Sequence, residues 1–250
     1  MSAHGLPCWY ELATNNVDTA KAFYSAVLGW TWADSGMPGM AYLLAKADGA
    51  MVAGLFSADP GIPLAWTQYV AVDDADALVA QAKALGATVV VPPTDIPNTG
   101  RFAVLIDPQG ASFAILQPLP DGTGGAFDQS KPGHGNWHDL ACPDASAALA
   151  FYGALFGWTE ARAIPMGPSM TYHVIARGDL QLGGIIAEAG QQGPAKWTVY
   201  FGTRSIHTAV DLVKSAGGQV QRDPAEVPGG ALIIHCTDPN GAVFALVGPA

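Results

Sequence analysis

The sequence predicts an α+β protein built from four βαβββ modules in two homologous halves. Three observations carry this prediction: an internal repeat, strand-like runs grouped around two capped helices per half, and a breaker-rich stretch in mid-chain. The repeat is read first because it fixes the unit of construction. Trp9-Tyr-Glu-Leu-Ala-Thr, Ala22-Phe-Tyr and Leu28-Gly-Trp-Thr return in order as Trp137-His-Asp-Leu-Ala-Cys, Ala150-Phe-Tyr and Phe156-Gly-Trp-Thr. Trp66-Thr-Gln-Tyr recurs as Trp197-Thr-Val-Tyr, and Asp107-Pro-Gln-Gly-Ala-Ser-Phe-Ala as Asp238-Pro-Asn-Gly-Ala-Val-Phe-Ala. Pro93 and Pro97 likewise pair with Pro224 and Pro228. The predicted domains are therefore residues 5–118 and 135–250, joined by a linker over 119–134 that is rich in glycine and proline and poor in apolar periodicity.

Within the first half each element follows from local chemistry. Trp9–Thr14 reads as a strand. Asn16 caps a helix with Val17, Ala20, Phe23, Val27 and Leu28 at helical spacing, and Gly29 stops it. Strand-like runs follow at Trp30–Ala33, Ala41–Ala45 and Met51–Phe56. The pattern restarts with a strand at Trp66–Val72 and a helix capped by Asp74, carrying Ala77, Leu78, Gln81, Ala82 and Leu85 and ended by Gly86. Strands at Thr88–Val91, Phe102–Ile106 and Ser112–Leu116 complete it.

Composition bounds the function. Of 250 residues, 50% are hydrophobic and only 13% charged, enough apolar content for packed cores and too much for a disordered chain. No apolar run approaches the roughly 18 residues that span a bilayer, and Met1–Pro7 lacks the pattern of a secretory signal. With 11 basic against 21 acidic residues, nucleic acid and anionic membranes are poor partners. Cys8, Cys142 and Cys236 are too few and scattered for a disulfide framework or a zinc site. They suit a reducing cytoplasm, as small buried residues rather than nucleophiles. No phosphate loop or dinucleotide fingerprint stands in a strand–helix context.

The strand–cap–helix opening with Phe23-Tyr24 and Leu28-Gly29-Trp30, and the closing Asp107-Pro108-Gln109-Gly110 turn with the strand Phe113–Leu116, resemble the vicinal oxygen chelate superfamily. That superfamily includes glyoxalase I, extradiol dioxygenases and the bleomycin and fosfomycin resistance proteins. More closely, the chain is similar to two-domain bacterial glyoxalase-like proteins. The resemblance implies that two βαβββ modules pair into a curled eight-stranded cup that holds a ligand, once per domain. It also implies a divalent metal held by His and Glu side chains on the first and last strands of each module. Counted from the Phe-Tyr helix and the Asp-Pro-x-Gly turn, those positions fall on Trp9, close to Gly54, on Thr67 and on Ala114. In the second half they fall on Trp137, close to Gly184, on Thr198 and on Ala245. None carries an imidazole or carboxylate, so no metal in the usual place and no other cofactor is expected.

Strand alternation, anchored on Trp9, turns Glu11 into the first cup and Asp139 into the second, with His138 toward the helices as a hydrogen-bonded packing residue. The first cup is expected to be lined by Trp9, Glu11, Thr67, Tyr69, Ser112 and Leu116, with Arg101 nearby. The second would be lined by Trp137, Asp139, Thr198 and Tyr200, with no charge matching Arg101. An aromatic concavity with a few polar groups suits a small molecule. Glu11, desolvated beside Trp and Tyr, is either an acid or base, a counter-charge for a cationic ligand, or a structural group paired with Tyr69 or Arg101.

Three functions follow from this lining. The first is metal-free binding of a small aromatic or amphipathic molecule. The second is a lyase or isomerase using Glu11 or Asp139 with a neighbouring tyrosine. The third is a non-catalytic structural or interaction role in which side chains fill the cups. Four fused modules can satisfy module pairing within one chain, so a monomer or a homodimer is expected.

Overall fold

The capped helices and short apolar runs sort into seventeen strands and four helices in the computed structural model, which describes residues 2–37, 39–120, 125–167, 170–187 and 193–250. The first half contains β1 (Pro7–Thr14), α1 (Val17–Leu28), β2 (Thr31–Asp34), β3 (Tyr42–Ala47), β4 (Ala50–Ser57), β5 (Ala65–Ala71), α2 (Ala75–Ala84), β6 (Thr88–Ile96), β7 (Gly100–Ile106) and β8 (Ser112–Pro118). The second contains β9 (Gly135–Cys142), α3 (Ala145–Phe156), β10 (Thr159–Gly167), β11 (Met170–Arg177), β12 (Leu180–Ala187), β13 (Lys196–Gly202) and α4 (Ile206–Ser215). It ends with β14 (Gln219–Val220), β15 (Ala225–Glu226), β16 (Leu232–Thr237) and β17 (Val243–Gly248). The βαβββ order thus runs four times, with two short strands, β14 and β15, standing where the first half has the long β6.

Asn16 and Asp74 cap α1 and α2 as the sequence predicts, and Asp144 and Ser205 cap the two helices of the second half. The Asn16, Asp74, Asp144 and Ser205 side chains each accept the backbone N–H three residues on, satisfying an otherwise orphaned donor. Gly29 and Gly157 end α1 and α3 in the left-handed region, where an L side chain is penalised.

Each half forms one sheet. Strand order is β2-β3-β4-β1-β5-β8-β7-β6 in the first and β10-β11-β12-β9-β13-β17-β16-β14 in the second, with β15 beside β16. The ladders β1–β4, β5–β8, β9–β12 and β13–β17 are parallel, and the outer ones are antiparallel. Among the described residues neither sheet closes into a barrel. Among the described residues no helix is long and apolar enough to cross a membrane.

Compactness divides the chain differently from the sheets. One unit comprises Met1–Cys8, Gln68–Gly124 and His138–Trp197; the other comprises Trp9–Thr67, Gly125–Trp137 and Thr198–Ala250. Each therefore takes one module from each half. In the first unit α2 packs on α3, and Phe113, Phe151, Tyr152, Phe156 and Trp158 form an aromatic cluster. In the second, α1 packs on α4, with Phe23, Tyr24, Trp30, Trp66, Phe201 and Phe244 in ring contact. Residues 125–134 belong to this second core. Ala126 is buried in it, and the Gly133 carbonyl accepts the Trp30 indole N–H at 2.8 Å.

The two repeated motifs meet in these cores. Within the second unit the Tyr24 hydroxyl donates to Asp238 at 3.1 Å and accepts from the Trp66 indole at 2.9 Å. Asp238 also accepts the Asn240 and Ala242 backbone N–H groups at 2.9 Å, closing its turn. Within the first unit Tyr152 stands in the same way between Asp107, at 2.9 Å, and Trp197, at 2.9 Å. Burial pushes both tyrosines well above the usual phenol range and raises Asp238. Each relay satisfies its buried polar atoms, which is what allows them inside a core.

Candidate functional site

On β1 the alternation separates two environments. Tyr10 and Leu12 are fully buried in the helix-side core, whereas Trp9 and Glu11 are half-buried. The latter two meet a third side chain. The Trp9 indole donates to the Tyr42 hydroxyl at 3.0 Å, and that hydroxyl hydrogen-bonds the Glu11 carboxylate.

Tyr42 starts on β3, and β4 lies between β3 and β1. Its ring reaches β1 by crossing Gly54, the ladder partner of Glu11. A Cβ at Gly54 would stand 1.8 Å from the hydroxyl oxygen and 2.2 Å from Cζ, so only glycine permits the crossing. Burial, then the charge of Glu11, raises the Tyr42 hydroxyl well above its ordinary pKa, so it remains a donor at neutral pH.

The second half repeats the device. Tyr172, from β11, crosses Gly184 of β12 and donates to Asp139 of β9 at 2.5 Å. A Cβ at Gly184 would fall 2.0 Å from Tyr172 Cζ. Trp137 is half-buried two residues before Asp139.

Further along each sheet the halves differ. Tyr69, buried on β5, contacts the Phe102 ring at 6.4 Å, and it shares Ala114 as ladder partner with Val104. In the second half Tyr200 and His235 share Ala245 in the same way, and the Tyr200 hydroxyl lies 2.9 Å from His235 Nε2. Thr67 and Thr198 are half-buried, Leu116 is half-buried opposite Phe102, and Ser112 is exposed at the start of β8.

Arg101 is taken up elsewhere. Its Nε and Nη2 donate to Asp76 at 2.7 and 3.1 Å, and its Nη1 donates to Asp95 at 2.8 Å. These two carboxylates, rather than Glu11, are its partners. Arg101, Asp95, His4, Asn98 and Gln117 line an open groove of about 740 Å³. The β7 register aligns Leu232 with Arg101, so the second half carries no charge there.

His138 is buried, donates Nδ1–H to the Leu182 carbonyl at 2.8 Å, and is held neutral by desolvation, its pKa lowered to about 4. Burial pushes the Cys8 and Cys236 thiols up to about 12 and Cys142 to about 11, so none is a thiolate at neutral pH.

A divalent ion does not fit the positions that the resemblance assigns to it. Trp9, Gly54, Thr67 and Ala114 offer no charged donor, nor do Trp137, Gly184, Thr198 and Ala245. The tyrosine rings fill the space a carboxylate would need at Gly54 and Gly184. Among the described residues no three His, Cys, Asp or Glu side chains converge as ligands. Sequence reasoning missed Tyr42 and Tyr172, although Tyr42…Gly54 and Tyr172…Gly184 recur at the same spacing.

Comparison with known proteins places this geometry in context. The family model described as "Glyoxalase/Bleomycin resistance protein/Dioxygenase superfamily" matches residues 8–115 and again 134–246. The chain is 32% identical over 252 residues to "Putative glyoxylase CFP32" of Mycobacterium bovis, covering 98% of this chain and 95% of that protein. It is 31% identical over 264 residues to "Anthracycline biosynthesis protein DnrV" of Streptomyces peucetius, covering 98% and 94%. Among solved structures it is similar to the Mn(II)-bound glyoxalase from Novosphingobium aromaticivorans, with TM-score 0.70, 20% identity, and 99% and 83% coverage. It is also similar to the 2,3-dioxygenase LapB from Pseudomonas sp. KL28, with TM-score 0.69, 16% identity, and 100% and 94% coverage. At those identities the two structures speak for the fold.

Proposed function

This chain belongs to the Glyoxalase/Bleomycin resistance protein/Dioxygenase superfamily, and from that premise we propose that it binds a small aromatic or amphipathic molecule on its inner sheet faces without a metal. The observation that carries the reading is the tyrosine laid across a glycine to a carboxylate, present in both halves in place of a metal ligand. The indoles of Trp9 and Trp137 supply flat apolar area, and Glu11, Asp139 and the tyrosine hydroxyls supply polar groups that orient a ligand. Thr67 extends the face that carries Trp9 and Glu11. Relatives named for anthracycline biosynthesis accord with an aromatic ligand.

The test is a tryptophan-fluorescence titration with daunorubicin, an anthracycline, in the presence of EDTA. Saturable quenching that weakens at least tenfold in Trp9→Ala, Trp137→Ala double variants is the expected result. Quenching that requires added Mn(II) or Zn(II), or none at all, overturns the reading.

A second reading has its own observation. The Tyr42–Glu11 and Tyr172–Asp139 hydrogen bonds are the carboxylate–phenol couple that proton transfer in a lyase or isomerase uses. Glu11→Gln separates the two readings: turnover collapses in an enzyme, whereas a binder of neutral ligands changes only in affinity.

A further inference from the structure

We propose that the inner sheet face of the first half takes an aromatic acid, with its ring against Trp9 and its carboxylate on the Lys46 ammonium. This rests on the aromatic-binding reading above and names the ligand class for one of its two faces.

Lys46 reaches that face by strand alternation. On β3, Ala45 and Ala47 are buried in the core that holds Phe23 and Tyr24 of α1, and Leu43 packs against the same core. Tyr42, Leu44 and Lys46 therefore turn the other way, to the side on which Tyr42 crosses Gly54. Ladder register sets the neighbours: Lys46 pairs with Met51 of β4 and with Thr31 of β2. Ala45 pairs with Ala53, so Val52 is the extra residue of a bulge. The bulge sends Val52 into the core and leaves Met51 beside Lys46, 45% exposed. Only β4 lies between β3 and β1, which puts the Lys46 backbone about 10 Å from the strand of Trp9. A fused aromatic ring system bridges that span.

The charges around this face favour an anion over β3. Lys46 is half-buried, and among the described residues no ion pair holds its ammonium. Asp48, in the turn after β3, faces Arg204 at 3.9 Å, both exposed. Asp34 stands opposite Leu43 on the core side of β2 and accepts the Gly36 backbone N–H at 2.9 Å. The remaining carboxylate on this face is Glu11, on β1, which the Tyr42 hydroxyl hydrogen-bonds. Negative charge over β1 and positive charge over β3 orient an acid with its carboxylate at Lys46. The lysine stem lies along apolar surface while its ammonium makes a charge-assisted hydrogen bond. The Trp9 indole and the Met51 thioether contact the ring.

The second half lacks the cation. Ala176 follows Tyr172 on β11 at the spacing at which Lys46 follows Tyr42 on β3. Ala176 is buried and pairs with Gln181 of β12, as Lys46 pairs with Met51. The crossed glycine and the aromatic pair are thus common to both faces, and the preference for an acid belongs to the first.

The test is calorimetric titration at neutral pH with 2-naphthoate, an aromatic carboxylate, and 2-naphthamide, its uncharged analogue. For one equivalent per chain the wild-type protein is expected to bind the acid roughly tenfold more tightly than the amide. Lys46→Met keeps an apolar stem without the charge and should bring the two to equal affinity, whereas Lys46→Arg should retain the preference. Raising the salt to about 1 M, where the Debye length is roughly 3 Å, should narrow the wild-type ratio. A preference that survives in Lys46→Met, or that extends to two equivalents per chain, overturns the proposal. Equal binding of both compounds by the wild-type protein also overturns it and leaves the aromatic-binding reading standing. Failure of both compounds to bind overturns the two together.

Discussion

The first half lays Tyr42 across Gly54 to Glu11, and the second lays Tyr172 across Gly184 to Asp139. The halves differ next to Glu11 on β1, on the adjacent β5, and three strands away on β7. Tyr10 answers to His138, Val104 to His235, Gln68 to Val199 and Arg101 to Leu232. The shared positions are those where backbone approach or a closed relay fixes the shape: the crossed glycines and the Tyr–Asp turn locks. The divergent ones set which protons each half can hold. Shape and ionisable content are thus separable here, and each substitution below probes one of them.

The largest expected effect comes from the buried imidazole. The folded pKa of His138, about 4, lies below the ordinary 6.5. Its stabilising contribution is therefore fully present above pH 6.5 and is lost as pH falls through 4. That loss amounts to roughly 3 kcal/mol. Urea unfolding at pH 7 and pH 4 should show it, and His138→Gln, which retains a donor for the Leu182 carbonyl, should remove that part of the pH dependence. An unchanged slope in the variant would sink the assignment.

Next come the crossed glycines. Gly54→Ala drives a methyl into the Tyr42 ring and should cost about 2–3 kcal/mol, as overpacking of a filled site does. Pairing it with Tyr42→Ala should recover part of that loss, which a double-mutant cycle reads directly. Gly184→Ala with Tyr172→Ala should behave alike, and independent losses in either half would show that the ring does not cross there.

Smaller still are the turn locks. Tyr24→Phe takes the partner from Asp238 Oδ2 and the Trp66 indole, and Tyr152→Phe from Asp107 Oδ2 and the Trp197 indole. Each should cost about 1–2 kcal/mol. Values differing by more than a kcal/mol would break the equivalence of the two units.

The smallest is a gain. The Gln68 amide nitrogen is buried with no hydrogen-bond partner, where the second half has Val199. Gln68→Val should raise stability by about 1 kcal/mol in thermal unfolding, because it removes an unsatisfied donor; a loss would mean that the amide has a role.

Much of this was legible in the chain itself. The repeat gave the module count, the Asn16 and Asp74 caps and Gly29 and Gly86 stops gave the helices, and period-two alternation on β1 put Trp9 with Glu11. The metal-ligand positions without donors were also readable. Tyr42 and Tyr172 were not, because they reach Glu11 and Asp139 over an intervening strand, and alternation describes a strand rather than its neighbours. Arg101 was read as a neighbour of Glu11, but the β6–β7 hairpin aligns it with Asp95 and brings Asp76 to its other side. The exchange of modules between halves in the compact units is a tertiary choice, settled by which helices pack, α1 on α4 and α2 on α3.

The central claim is that a tyrosine lies across Gly54 and across Gly184, two positions that the family resemblance assigns to metal ligands, and calorimetric titration of chelator-treated protein with Mn(II) and Zn(II) tests it most directly. The account predicts no association tighter than about millimolar, near −4 kcal/mol, for either ion. One or two equivalents bound at micromolar affinity, lost in Glu11→Gln or Asp139→Asn, would contradict it.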